Sequence, residues 1–189
     1  MASARVRLLE VDPDLGRFLS EEELTAARLV VVPTIAVGRD SAPMEEQLRE
    51  HRAFAGMLLE GMVFERVQVG DQVAMRLLAP GDIISVEGGA PSLLVGQSSA
   101  SAAPGSELVL LGADLLLAAR RWPGLIRGLH QRYVQQAERL VTQLAVCQLP
   151  RVDQRLLAMM WLLAESWGRV TPSGTSAVAS RSLTRLRAK

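Results

Sequence analysis

The chain contains one cysteine, Cys147, and two histidines, His51 and His130. A single thiol closes no internal disulfide, and these side chains fall short of the ligand set of a structural zinc site. No charge-free apolar run reaches the roughly 18 residues that a membrane span requires. The N-terminal stretch is interrupted by Arg5, Arg7, Glu10 and Asp12, so it lacks the basic-then-apolar order of a signal segment. These absences lead to the expectation of a soluble, cytoplasmic protein with no membrane partner. An excess of positive charge is missing too: 21 basic and 20 acidic residues leave a net charge of +1, so any nucleic-acid binding has to come from local clustering. Nucleophile-elbow and P-loop spacings are also absent, and Ser98 to Ala103 reads as a loop without order of its own. Asp82 and Glu87 form a carboxylate pair on paper, but no nucleophile, metal set or histidine accompanies them, and they read as turn residues. The expectation is a protein that is not an enzyme, with no catalytic residues, metal or cofactor.

What the chain does have is apolar content, 49% over 189 residues, enough for one generous domain or two small ones. The most organised stretch is Trp122 to Leu149. Ile126, Tyr133, Leu140 and Cys147 recur every seven residues, with Leu129, Ala137 and Leu144 beside them, which predicts a helix of about seven turns carrying one apolar seam. Pro123 suits a first helical turn and Pro150 stops the run. The rim is charged or amide-bearing and includes Arg132, Gln136 and Arg139. A helix this long and two-faced reads as a homodimer seam, with an ordinary core helix as the other reading. Cys147 reads as a buried structural thiol within that seam, and His130 as a packing or interface residue.

Before this helix, Ser20 and Glu23 make a capping-box pattern, and Val30 to Val37 reads as a strand with an edge or bulge at Pro33. Arg39 to Arg52 is a loop or short helix. Two apolar runs split by Gly70-Asp71 predict a hairpin, and Ala79-Pro80-Gly81-Asp82 a second turn leading into Ile83-Ile84. Leu93-Leu94-Val95 and Leu108 to Leu111 read as further strands, and Gly112 to Arg121 as a short helix with Asp114 in its first turn. Closely spaced short strands predict an antiparallel roll or barrel. After Pro150, Arg151 to Trp167 predicts a helix with Leu156, Met159, Met160, Leu163 and Trp167 as a buried stripe, while Trp161 and Trp167 read as core and domain-joint packing. The tail opens as a turn-rich strand or loop and ends as a basic amphipathic helix with Val178, Leu183 and Leu186 as its apolar points. Arg181 to Lys189 holds four basic residues and no acidic one.

A small β region with G-D and P-G-D turns, a seam helix, and the strings Leu149-Pro-Arg-Val-Asp-Gln-Arg-Leu-Leu and Trp167-Gly-Arg-Val-Thr-Pro-Ser-Gly occur here in one order. Together they resemble the catabolite activator/FNR (Crp/Fnr) family of bacterial transcription regulators, over most of the chain to Gly174. The resemblance implies an α+β protein. Residues 1–121 would form an effector-sensing antiparallel β roll, a jelly roll like those that bind cyclic nucleotides. Residues 122–149 would be a dimerisation helix, and residues 150–189 a partial winged helix-turn-helix domain. The implied partners are double-stranded DNA, a second copy of the chain and a small-molecule effector. Dimer contacts would fall on Ile126, Leu129, Tyr133, Ala137, Leu140, Leu144 and Cys147. Ser180, Arg181 and Thr184 would face the major groove, with Arg185, Arg187 and Lys189 on phosphates; a solvated basic tail is the other reading of that segment.

Two departures refine these implications. Gly81, Asp82, Glu87 and Gly88 match the effector-pocket turn, but no arginine or lysine lies between Arg76 and Arg120, where cyclic-AMP-binding members place a phosphate-neutralising arginine. Burying an anion without a cation is costly, so cyclic AMP is not the expected effector. One cysteine likewise excludes an FNR-type iron–sulfur cluster. After Gly174 only 15 residues follow, which look like a recognition helix without its supporting helix. Either the product is internally shortened or a segment is missing between flanks. In the shortened case the alternative is a DNA-incompetent dimerising protein that titrates full-length relatives.

Overall fold

The computed structural model describes residues 4–38, 42–85, 95–170 and 176–178. It is an α+β chain of two compact units, Met1–Leu140 and Val141–Lys189, with the division inside the long helix.

In the first unit, strand β1 (Ala4–Arg7) runs into a short helix α1 (Leu8–Val11) and a 3-10 turn at Pro13–Gly16. Helix α2 (Glu21–Ala27) starts at the expected capping box: the Ser20 hydroxyl accepts from the Glu23 amide, and the Glu23 carboxylate accepts from the Ser20 amide. Strand β2 (Val31–Val37) follows, then α3 (Met44–Glu50) and β3 (Ala55–Glu60). Strands β4 (Val63–Val69) and β5 (Gln72–Leu78) form the hairpin read from Gly70-Asp71, and β6 (Ile83–Ser85) follows the P-G-D turn. Strands β7 (Val95–Ala102) and β8 (Ser106–Leu111) and helix α4 (Ala113–Arg121) lead into the long helix α5 (Gly124–Cys147).

All pairing is antiparallel. One sheet has the order β1-β2-β8-β3-β6 and the other β5-β4-β7. Strand alternation sorts the five-stranded sheet into two faces. Val32, Met57, Ile83, Val109 and Leu111 pack under the helices with Leu115, Leu125 and Leu129. Leu58, Ile84, Leu108 and Leu110 face the roll interior, where Val63, Leu78 and Ala102 of the other sheet meet them. Each fully buried aliphatic side chain of this kind stabilises by about 1.5–3 kcal/mol, so the two clusters hold the roll closed and pin the helices to its back.

Two expectations need correction in this unit. Ser98 to Ala102 is not a loop: it belongs to β7, which pairs with β4, and Ala100 and Ala102 turn their small side chains to the crowded interior. Strand β2 is not an edge, because β1 pairs outside it. Pro33 is tolerated because the ladder to β8 begins one residue later, at Thr34, so no donor is needed from the proline. Gly128 lets α5 approach the N-terminal segment closely, since a Cβ there would lie 2.9 Å from the Leu15 Cα.

In the second unit, α6 (Val152–Trp167) is followed by β9 (Gly168–Val170), which pairs antiparallel with β10 (Ser176–Val178). Val178 therefore sits in a strand, not in the expected helix. The stripe expected to be buried on α6 is largely open: Leu156, Met160 and Leu163 are exposed, Met159 is half-buried, and the Trp167 side chain lies outside the described residues. Trp161 is exposed as well, its indole N–H donating to Glu165 at 2.8 Å. The spacing of the stripe is nevertheless that of a buried helix face.

Candidate functional site

Three side chains of α5, at positions i, i+4 and i+7, grip the β roll. At about 100° per residue, Arg132, Gln136 and Arg139 fall within an arc of about 60° on one helix face. The sequence shows them only as part of a polar rim; their spacing of four and three is the signal that marks a shared face.

Arg132 holds the N-terminal segment. Asp12 is 6% exposed and accepts the Asp14 amide at 3.2 Å, which caps the 3-10 turn. The Arg132 Nε donates to Asp12 Oδ2 at 2.9 Å and its Nη2 pairs with Asp12 Oδ1, a two-point fork on one carboxylate. The same Nη2 reaches Asp14 at 3.0 Å. Burial by itself would depress the guanidinium pKa, but the hydrogen bond and charge of Asp12, and then those of Asp14, outweigh it and hold the pKa above its ordinary value.

Gln136 closes the edge of the sheet. Strand β6 is outermost, so the N–H and C=O of Ile83 point away from β3. The Gln136 carboxamide meets both, its oxygen accepting from the Ile83 N–H at 3.1 Å and its nitrogen donating to the Ile83 C=O at 3.1 Å. One side chain thus replaces a neighbouring strand at this residue.

Arg139 holds the P-G-D turn. Asp82 is 3% exposed; one carboxylate oxygen accepts from the Ala79 amide at 2.8 Å and the other pairs with Arg139. Gly81 has φ +91°, a left-handed conformation that favours glycine, and its amide donates to the Leu58 C=O at 2.7 Å. A Cβ on Gly81 would stand 3.9 Å from the Arg132 guanidinium, so the turn lies directly against α5.

Of the residues expected to form an effector pocket, Gly81 and Asp82 belong to this junction, and both Asp82 oxygens are already engaged. Glu87 and Gly88 lie outside the described residues. The seam residues are placed as follows. Ile126 (43% exposed), Tyr133 (43%), Ala137, Leu144 (66%) and Cys147 are exposed in the single chain, and Leu140 is half-buried. Within the first unit, the centre of Ile126, Tyr133, Ala137 and Leu140 lies about 100° round the helix from the face that grips the roll. Leu129 differs: at 6% exposure it packs into the core of its own unit. Cys147, expected as a buried thiol, is exposed because it lies in the last turn of α5, where no described element covers it. His130 is exposed. Ser180, Arg181, Thr184, Arg185, Arg187 and Lys189 all lie outside the described residues. Among the described residues no group of three or more metal-ligating side chains occurs, and no helix is long and apolar enough to cross a membrane.

No family model and no curated protein matches the chain. Solved structures do. The catabolite activator protein of Thermus thermophilus is 19% identical, with 88% of this chain and 93% of that chain covered and a TM-score of 0.42. A mutant of CooA from Carboxydothermus hydrogenoformans is 14% identical, with coverages of 82% and 97% and a TM-score of 0.47. CprK complexed with OCPA is 17% identical, with coverages of 82% and 70% and a TM-score of 0.46. The likeness to these proteins is one of fold.

Proposed function

We propose that the chain is a Crp/Fnr-like, sequence-specific DNA-binding transcription regulator acting as a homodimer, whose β roll senses a small-molecule effector other than cyclic AMP. The observation that carries this reading is the three-point grip of α5 on the roll. Arg132, Gln136 and Arg139 tie the helix to the N-terminal segment, to the sheet edge and to the P-G-D turn. The adjoining face of the same helix leaves Ile126, Tyr133, Ala137 and Leu144 open for a second copy. A change in the turn is therefore a change in helix position, and a helix shared between two copies converts that into a change in the spacing of two DNA-binding ends. The basic cluster Arg181, Arg185, Arg187 and Lys189 supplies the charge for phosphate contacts.

A second reading rests on α6. Its exposed Leu156, Leu157, Met160 and Trp161 suit a protein partner, as a dimerising interaction protein without DNA binding requires. Fluorescence anisotropy with genomic DNA fragments at two salt concentrations, run beside sedimentation of the protein and its Leu144→Arg variant, separates the two. A dimer that Leu144→Arg dissociates, with sequence-selective and salt-sensitive DNA binding, supports the regulator. A dimer with no DNA binding at low salt overturns it in favour of the second reading.

A further inference from the structure

The inner face of the β5-β4-β7 sheet carries a charged pair where alternation calls for apolar residues. Val63, Leu78 and Ala102 stand opposite one another and are buried in the roll interior. Two residues along each strand, on the same face, stand Glu65, Arg76 and Ala100. The Arg76 Nη2 forms an ion pair with Glu65, and the side chains are only 23% and 28% exposed. The Arg76 Nε is buried and has no hydrogen-bond partner among the described residues. One step further along the face, Val67 is half-buried and Ala74 exposed, so the pair sits at a mouth where the apolar interior gives way to solvent.

A buried guanidinium N–H without an acceptor is costly, and native interiors rarely leave one. Here the orphan donor lies on the face that Val63, Leu78 and Ala100 share. Glu65 already neutralises the charge on Arg76, so a second anion would meet the Glu65 carboxylate at short range. A neutral acceptor meets no such repulsion. From this geometry we infer that the mouth of the roll at Glu65 and Arg76 is the effector subsite, and that it takes a small, uncharged, largely apolar molecule whose single carbonyl-type oxygen accepts from the Arg76 Nε–H. This inference rests on the regulator reading, because it names the chemistry of the effector sensed by the roll.

Three probes of matched shape test it: phenylacetone, with a neutral acceptor; phenylacetate, with an anionic one; and isobutylbenzene, with none. Their affinities for the full chain are measured by titration calorimetry, with ligand-observed NMR for weak binding and a circular-dichroism melt to check each variant. The expected result for the unmodified protein is phenylacetone bound roughly tenfold tighter than either comparator, the difference one satisfied hydrogen bond makes. Arg76→Met should remove the preference over isobutylbenzene. Glu65→Gln, which keeps the side-chain shape and leaves Arg76 with its charge unpaired, should invert the order so that phenylacetate binds best. Equal or tighter binding of phenylacetate by the unmodified protein overturns the inference, as does no binding of any probe at millimolar concentration. An unchanged order in Glu65→Gln also overturns it, and decides the matter should Arg76→Met fail to fold. DNA anisotropy on the same samples keeps the two readings apart: probe discrimination without DNA binding retains the subsite and removes the regulator, and the converse removes the subsite alone.

Discussion

Replacing Arg132 by leucine tests the strongest part of the grip. Asp12 is 6% exposed, and without Arg132 its carboxylate would retain only the Asp14 amide at 3.2 Å. Removing one partner of a buried ion pair typically costs about 3–5 kcal/mol, because the remaining charge stays desolvated. The Arg132 side chain is 23% exposed, so water entering beside Asp12 gives partial relief and the lower end, about 3 kcal/mol, is expected. For a unit of this size that corresponds to a fall of ~10 °C in the melting temperature. Urea unfolding of the full chain followed by circular dichroism measures the loss. Asp12→Asn together with Arg132→Leu completes a double-mutant cycle. Adding Asp12→Asn to Arg132→Leu removes the stranded charge and should recover about 1–2 kcal/mol of the loss. A loss below about 1 kcal/mol for Arg132→Leu, within the range of an exposed pair, would refute the argument that this contact anchors the helix.

Three further outcomes follow from the same geometry. Gln136→Leu strands the Ile83 N–H and C=O and should cost about 2–4 kcal/mol in urea unfolding, the penalty of two unmet backbone groups. Gly128→Ala should destabilise although alanine is the better helix former by about 1 kcal/mol, because its methyl would be forced into the Leu15 backbone; a higher melting temperature would contradict the close approach. Tyr133 is the single tyrosine, and the covered part of its ring disfavours the phenolate, so its pKa in the folded chain lies above the ordinary value. A raised pKa gives stability that is present below the unfolded value of about 10 and is lost as pH rises through the folded value. Ultraviolet titration of the phenolate should place the midpoint above that of a free tyrosine, and Tyr133→Phe should reduce the loss of stability at alkaline pH.

The elements written in local chemistry were legible from the sequence. The Ser20 cap, the Gly70-Asp71 and Pro80-Gly81 turns, the run Leu108 to Leu111 and the helix through Trp122 to Leu149 each depend on neighbours a few residues away. Beyond Val95 the β7 strand was not, because small polar residues become strand only when β4 supplies the ladder. Strand β1 carries two arginines in four residues and is a strand through its pairing with β2. The grip on the roll was half legible: Arg132, Gln136 and Arg139 share a face by spacing alone, but Asp12 and Asp82 stand 120 and 57 residues away from their partners, and only the fold joins them. The α6 stripe shows the reverse case, where period 3.6 correctly marks an apolar face without saying what covers it.

The carboxamide of Gln136 has a consequence beyond holding the helix. A β-sheet ends safely when its last strand offers no free backbone to a passing chain, and here that protection is supplied by one side chain of α5. Lifting α5 from the roll would uncover the Ile83 amide and carbonyl, so under the regulator reading proposed above the signalling displacement and exposure to strand-by-strand aggregation share one coordinate. On that reading, protection of the sheet edge favours small displacements that slide the helix along its contacts over large ones that part them.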